Sequence, residues 1–126
     1  MKKTHFENLQ VYQLSEKLSD EIWKIVMQWD DLAKNTVGAQ IIRSADSIGA
    51  NLAEGSGRGS NRDYRRFIKI SRGSLYETRH WLRRAFKREL LSKEHVNVLI
   101  PSIEELTPKL NAYLRSIGTF DQKDEE

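Results

Sequence analysis

The sequence predicts an all-α domain, an antiparallel up-and-down four-helix bundle. Two observations carry that prediction. Apolar residues recur at spacings of three and four through four successive segments, the period of a helix with one buried face. Breaks are also few: five of the seven glycines fall between positions 38 and 59, and Pro101 and Pro108 are the two prolines. A chain of 126 residues has room for one domain and one core. Four helices joined by short loops pack most simply as antiparallel neighbours. The bundle is expected over residues 6–118, followed by a disordered acidic tail over 119–126.

The first segment, 8–29, places Val11, Leu14, Leu18, Ile22, Ile25 and Trp29 on one side. Thr4, with Glu7 three residues on, could form a capping box ahead of it. The second segment, 34–55, carries Val37, Ile41, Ala45, Ile48 and Leu52 as its stripe. The run Gly55-Ser56-Gly57-Arg58-Gly59 is expected to stop it, because glycine accepts the left-handed conformation that ends helices. The third, 61–89, starts after Ser60, an N-cap with Asp63 as its acidic partner. Tyr64, Phe67, Ser71, Leu75, Thr78, Leu82 and Ala85 form its inner side, flanked by Ile68 and Phe86. The fourth, 93–117, has Ser92 as N-cap and a stripe of Val96, Leu99, Ile103, Leu106, Leu110, Leu114 and Ile117, with Tyr113 beside Leu114. Pro101 and Pro108 lie off that stripe, nearly on one face. Each removes an internal hydrogen bond at a cost of about 3 kcal/mol, so a bend or break is expected there.

Composition narrows the function classes. No run approaches the roughly 18 apolar residues of a membrane span. The first residues are polar and do not read as a secretory signal. There is no cysteine, which fits a reducing, cytoplasmic setting. His5, His80 and His95 are scattered, so no metal or cofactor site is expected. The Gly-x-Gly-x-Gly stretch follows a helix and lacks the Lys-Ser/Thr of a phosphate loop. Glu54 and Glu77 could act as an acid/base pair only if the bundle brought them together; ion pairs with Arg43 or Arg72 are the simpler reading. No enzyme is expected.

Charge is unevenly distributed. The net charge is +3, yet residues 58–88 hold 11 Lys/Arg against 2 Asp/Glu. On a helical wheel Arg62, Arg65, Arg66, Lys69, Arg72, Arg79, Arg83, Arg84 and Lys87 fall on the side away from the apolar stripe, with Tyr76 among them. That ribbon is about 37 Å long. Cations for phosphates beside an aromatic for a base are the footprint of a nucleic-acid surface. The competing reading is a solvated face, or one paired with acids such as Glu104 and Glu105 on a neighbouring helix. Acidic partners one turn away are scarce, which favours an external polyanion.

The second segment is nearly free of charge between Val37 and Gly55, where Arg43, Asp46 and Glu54 are its ionised residues. Gln40, Ser44, Ser47, Asn51 and Glu54 make a polar row beside the core stripe. Ala39, Ile42, Gly49, Ala50 and Ala53 make a row of small or apolar residues opposite. Two sides without charge suggest a subunit interface, against the alternative of a deeply buried helix in a monomer. The polar row reads as a hydrogen-bonded network that sets helix register.

The residues from Gln40-Ile41-Ile42-Arg43-Ser44-Ala45 through Asp46-Ser47-Ile48-Gly49-Ala50-Asn51-Leu52-Ala53-Glu54-Gly55 resemble a signature, Q-I-x-R-(A/S)-A-x-S-I-x-A-N-(I/L)-A-E-G. Phe67 to Glu77, with Arg72-Gly73-Ser74-Leu75 at its centre, resembles a second, and Phe6-Glu7-Asn8-Leu9-Gln10-Val11-Tyr12 a third. Both long blocks are similar to those of the four-helix bundle proteins encoded in intervening sequences of 23S ribosomal RNA genes, a family to which accessory proteins of diversity-generating retroelements look related. The resemblance spans residues 6–117. Departures are small: Tyr12 for Trp, Ser71 for Ala, and Asp30-Asp31 where Phe-Pro is frequent. The resemblance implies a homopentameric bundle with a nucleic-acid-binding role and no enzymatic activity. Gln40, Arg43, Ser47, Asn51, Glu54, Gly55, Arg72, Gly73, Ser74 and Glu77 are the matched motif residues, expected to hold helices and subunits in register.

Together these readings predict a non-enzymatic oligomeric scaffold that binds RNA or DNA through the third helix. The alternative is an adaptor that docks an acidic protein partner such as a polymerase.

Overall fold

The computed structural model describes residues 5–118. A 3₁₀ turn at Phe6–Asn8 leads into α1 (Gln10–Val26). An α-turn at Asp31–Ala33 and a π-helical turn at Lys34–Gly38 run directly into α2 (Ala39–Ser56). Then follow α3 (Asn61–Lys87) and α4 (Lys93–Ser116). No strand occurs among the described residues. α1 borders α2 and α4, and α3 borders the same two, so the four helices close a square antiparallel bundle.

The predicted stripes meet in the middle. Leu18 and Ile22 of α1, Ile41, Ile48 and Leu52 of α2, Ile68 and Leu75 of α3, and Leu106 and Leu110 of α4 are fully buried. Non-directional burial of these side chains drives assembly, and the helical spacing only places them. Direction comes from buried hydroxyls. Ser71 Oγ donates to Ile48 O at 2.8 Å across the α2–α3 seam. The Thr78 hydroxyl lies 2.8 Å from Ser74 O and 3.0 Å from Ser44 Oγ. A one-turn slip of α3 against α2 would strand these groups in the core, at roughly 1–3 kcal/mol each.

Caps largely follow the expected chemistry. The Ser60 hydroxyl accepts from Asp63 N at 3.1 Å. Ser92 accepts from His95 N, and His95 Nδ1 accepts from Ser92 N, both at 3.1 Å, a reciprocal capping box that employs one of the scattered histidines. The Thr4–Glu7 box and the 119–126 tail lie outside the described residues.

Three expectations are corrected. First, α4 runs unbroken through Pro101 and Pro108. Both rings lie on its exposed side, as do Asn97 and Glu104, the residues whose carbonyls lose their helical donors. Second, Gly57 ends α2 in the right-handed region, and no described glycine has positive φ. The left-handed cap sits instead after α3, at Glu89 with φ 62°. There Leu90 N donates to Ala85 O and Glu89 N to Phe86 O, the paired bonds of a Schellman ending. Glu89→Gly should therefore raise stability by about 1 kcal/mol, seen as a higher urea midpoint at unchanged slope. Third, Gly49 does not lie on an open row: it is half-buried against α1, and a Cβ there would stand 2.9 Å from Ser15 Oγ and 3.3 Å from Tyr12, so its empty side admits α1.

Candidate nucleic-acid interface

The basic residues of α3 divide into two groups once the helix is docked. Arg65 and Arg72 turn toward α4. Arg65 Nη1 donates to Leu114 O at 2.7 Å and Ile117 O at 2.9 Å, which closes the C-terminal end of α4 where backbone carbonyls lack helical partners. Arg72 Nη1 donates to Asn111 Oδ1 at 3.2 Å. Beside them the Tyr64 and Tyr113 hydroxyls share a 2.5 Å hydrogen bond. Burial, then that bond, push the Tyr64 phenol far above its ordinary range, so it stays neutral. These groups join α3 to α4. Arg65→Ala should cost about 2 kcal/mol in denaturant unfolding, the loss of charge-assisted hydrogen bonds.

The second group faces outward. Lys69, Arg79, Arg83 and Lys87 are exposed and make no ion pair among the described residues. Tyr76 is 49% exposed in their midst. Arg84 is half-buried on one flank of the row. Arg62 and Arg66 extend it toward the start of the helix. Arg66 reaches Asp63 at 3.9 Å and lies with Arg58 against the Phe67 ring, at 4.7 and 4.8 Å from its centroid. Neither expected acidic neighbour pairs with the row: Glu105 pairs with Lys109 at 2.9 Å, and Glu104, though it lines the same groove as Arg79 and Arg83, makes no ion pair with a described cation.

The α4 side of the row opens as a groove of about 490 Å³ between the second half of α3 and the first half of α4. Leu82, Leu91, Leu99 and Ile103 form its floor, with Arg79, His80 and Arg83 along one wall and Glu104 on the other. Phe86 and Ile100 stand half-exposed at its edge. Helical periodicity alone places Phe86 beside the core. Its position over an open seam depends on how far α3 and α4 diverge, which no periodicity reveals.

The matched motif residues gather on another seam. Gln40, Arg43, Ser47, Asn51 and Glu54 lie on the outer α3-facing side of α2. The Ile48–Ser71 and Ser44–Thr78 contacts put Ser47 level with Ser74, and Asn51 level with Ile70. Most of the polar row bonds within its own helix: Ser47 to Arg43 O, Asn51 to Ser47 O. Ser44 alone of that row takes part in the α2–α3 contacts that set register. Glu54 holds Arg58 at 2.7 Å and Glu77 Oε2 accepts from Trp81 Nε1 at 3.0 Å, in place of the expected Arg43 or Arg72. The same register sets Glu54 and Glu77 about 15 Å apart along the bundle, so they do not converge as an acid/base pair. No group of three or more metal-ligating side chains occurs among the described residues. None of the described helices is long and apolar enough to cross a membrane.

Both signature blocks thus line one antiparallel helix pair. The family model described as 23S rRNA-intervening sequence protein matches residues 7–112, from the turn before α1 to the last third of α4. The chain belongs to that family. A crystal structure of a protein with unknown function from the S23 ribosomal protein family of Bacteroides thetaiotaomicron shares the fold, with a TM-score of 0.74 and 22% identity over 84% of this chain and 99% of that one. No curated protein matches the sequence.

Membership in the 23S rRNA-intervening sequence family makes its two signature glycines informative. Gly55 is needed by the bundle itself: a Cβ would stand 2.7 Å from Phe67 Cβ and 2.9 Å from the Tyr64 ring. Gly73 is not, since a Cβ there would meet nothing within 4 Å. A mid-helix glycine costs about 1 kcal/mol relative to alanine. Nothing within the described chain requires it.

Proposed function

We propose that this protein is a non-enzymatic, oligomeric helical scaffold that binds nucleic acid through the exposed cations of α3. The observation that carries the reading is the row Lys69, Arg79, Arg83 and Lys87, exposed and without acidic partners among the described residues. Unpaired like charges on one face repel each other. A phosphate backbone relieves that repulsion and releases its own counterions on binding. Arg65 and Arg72 belong to the bundle and serve the surface only by shaping it.

Self-association is supported by the outer face of α3 around Gly73 and Ile70. Gly73 lacks a reason inside the chain, and Ile70 beside it is 41% exposed. A glycine on such an exposed face lets another backbone approach closely, and the family resemblance implies five subunits. A ring repeats a weak basic face and raises avidity without new contacts. The adaptor reading uses the same cations for an acidic protein such as a polymerase.

Nuclear magnetic resonance mapping tests the assignment. Titration with a short RNA or DNA oligonucleotide should shift the amides around Lys69, Tyr76, Arg79, Arg83 and Lys87. Shifts confined to α1, or none at low salt, would contradict it.

A further inference from the structure

The α3–α4 groove adds a feature that a phosphate-binding surface alone does not need. A duplex presents phosphates outward and keeps its bases stacked, so it asks of a protein only cations at the right spacing. Here the cations border an apolar cleft instead. Arg79 and Arg83 stand on its α3 wall, four residues and about 6 Å apart, and Lys87 continues the row at the same interval. That interval is close to the distance between successive phosphates of a stretched single strand. Two aromatic side chains mark the groove at either end, Tyr76 at 49% and Phe86 at 51% exposure, ten residues and about 15 Å apart along the helix. The volume of about 490 Å³ lies within the range of sites that take small planar ligands. Cations are confined to the α3 wall, and the α4 wall offers Ile100 and the Glu104 carboxylate.

We infer that the groove binds single-stranded nucleic acid, with the sugar–phosphate backbone along Arg79, Arg83 and Lys87 and unstacked bases lying over Tyr76, Phe86 and Ile100. The inference rests on the nucleic-acid reading above and names its substrate class. Charge complementarity selects the occupant. A neutral helix from a second copy would leave Arg79 and Arg83 against an apolar surface, and a duplex cannot insert its bases. Glu104 fits this polarity. It would repel phosphates from the α4 wall and can accept hydrogen bonds from the amino groups of bases. Aromatic stacking supplies attraction that ignores sequence, because every base has a π-face.

The test is fluorescence anisotropy with a 12-nucleotide single strand and the duplex of the same sequence, across several salt concentrations. A 2-aminopurine base within the single strand reports stacking directly. The wild type should bind the single strand at least about 10-fold more tightly than the duplex, with the 2-aminopurine emission altered on binding. The Tyr76→Ala/Phe86→Ala variant should lose most of that preference while keeping the slope of log K against log salt, since its phosphate contacts remain. Circular dichroism checks that it folds, and Ile100→Glu, which puts a carboxylate among the bases, gives a second reading from the other wall. Equal affinity for strand and duplex, with 2-aminopurine unchanged, would overturn the inference and leave the basic row as a duplex-binding face. Smaller assemblies in sedimentation for the aromatic variant, without any change in strand preference, would assign the groove to a second copy and also overturn it. Absence of salt-dependent binding to either form would overturn both this inference and the reading beneath it.

Discussion

Gly55→Val will destabilise the bundle by about 3 kcal/mol, seen as a lower urea midpoint with unchanged slope. The reason is where the new atoms must go. Cβ alone would stand 2.7 Å from Phe67 Cβ, an atom fixed to the α3 backbone, so no rotamer change clears the clash. α2 and α3 must separate, and the hydroxyl contacts from Ser71 to Ile48 and from Thr78 to Ser44 loosen with them. Gly73→Ala is the control, with the opposite sign. It adds a methyl group into open space and restores helix propensity, so the dilute subunit should gain about 1 kcal/mol. If the outer face of α3 at Gly73 is a subunit contact, the same substitution will weaken assembly in sedimentation. One glycine therefore reports on packing inside the chain and the other on packing between chains.

The fold was legible because each helix carries its own address. Stripes such as Val37, Ile41, Ala45, Ile48 and Leu52 state both period and inner face, and all five are buried. Ser60 and Ser92 announced two helix starts for a local reason, since a cap depends on residues three apart. What stayed hidden depends on neighbours distant in sequence. Gly49 read as part of a small-residue interface because Tyr12 and Ser15, which occupy its empty side, lie more than thirty positions earlier. Arg65 and Arg72 read as ribbon members because the wheel gives a direction and not a partner. Only docking of α4 brings Leu114 O, Ile117 O and Asn111 to them. Pro101 and Pro108 read as a bend or break because propensity treats an internal proline as a lost bond, whereas on an exposed face solvent can take up the freed carbonyls and the helix does not break. The groove was invisible for the same reason. Tyr76 was recognised as exposed, but its companions Phe86 and Ile100 meet only where α3 and α4 diverge.

The largest functional effect is expected from reversing the outward row. Arg79→Glu/Arg83→Glu/Lys87→Glu replaces three cations that have no acidic partner among the described residues, so little of the fold depends on them. Melting should change slightly, as for other exposed substitutions. Binding should not. Each phosphate contact contributes a little under one unit to the slope of log K against log salt, so three lost contacts lower that slope by about 2 to 3 and the low-salt affinity by about 100-fold. Arg65→Ala makes the complementary case, losing stability while keeping the slope. The decisive measurement is therefore the salt slope of oligonucleotide binding for the wild type beside the triple reversal, both confirmed folded. A steep wild-type slope that drops by 2 to 3 in the variant is the predicted result. A slope that the reversal leaves unchanged, or a wild type that binds no oligonucleotide at low salt, would contradict the assignment of nucleic-acid binding to α3.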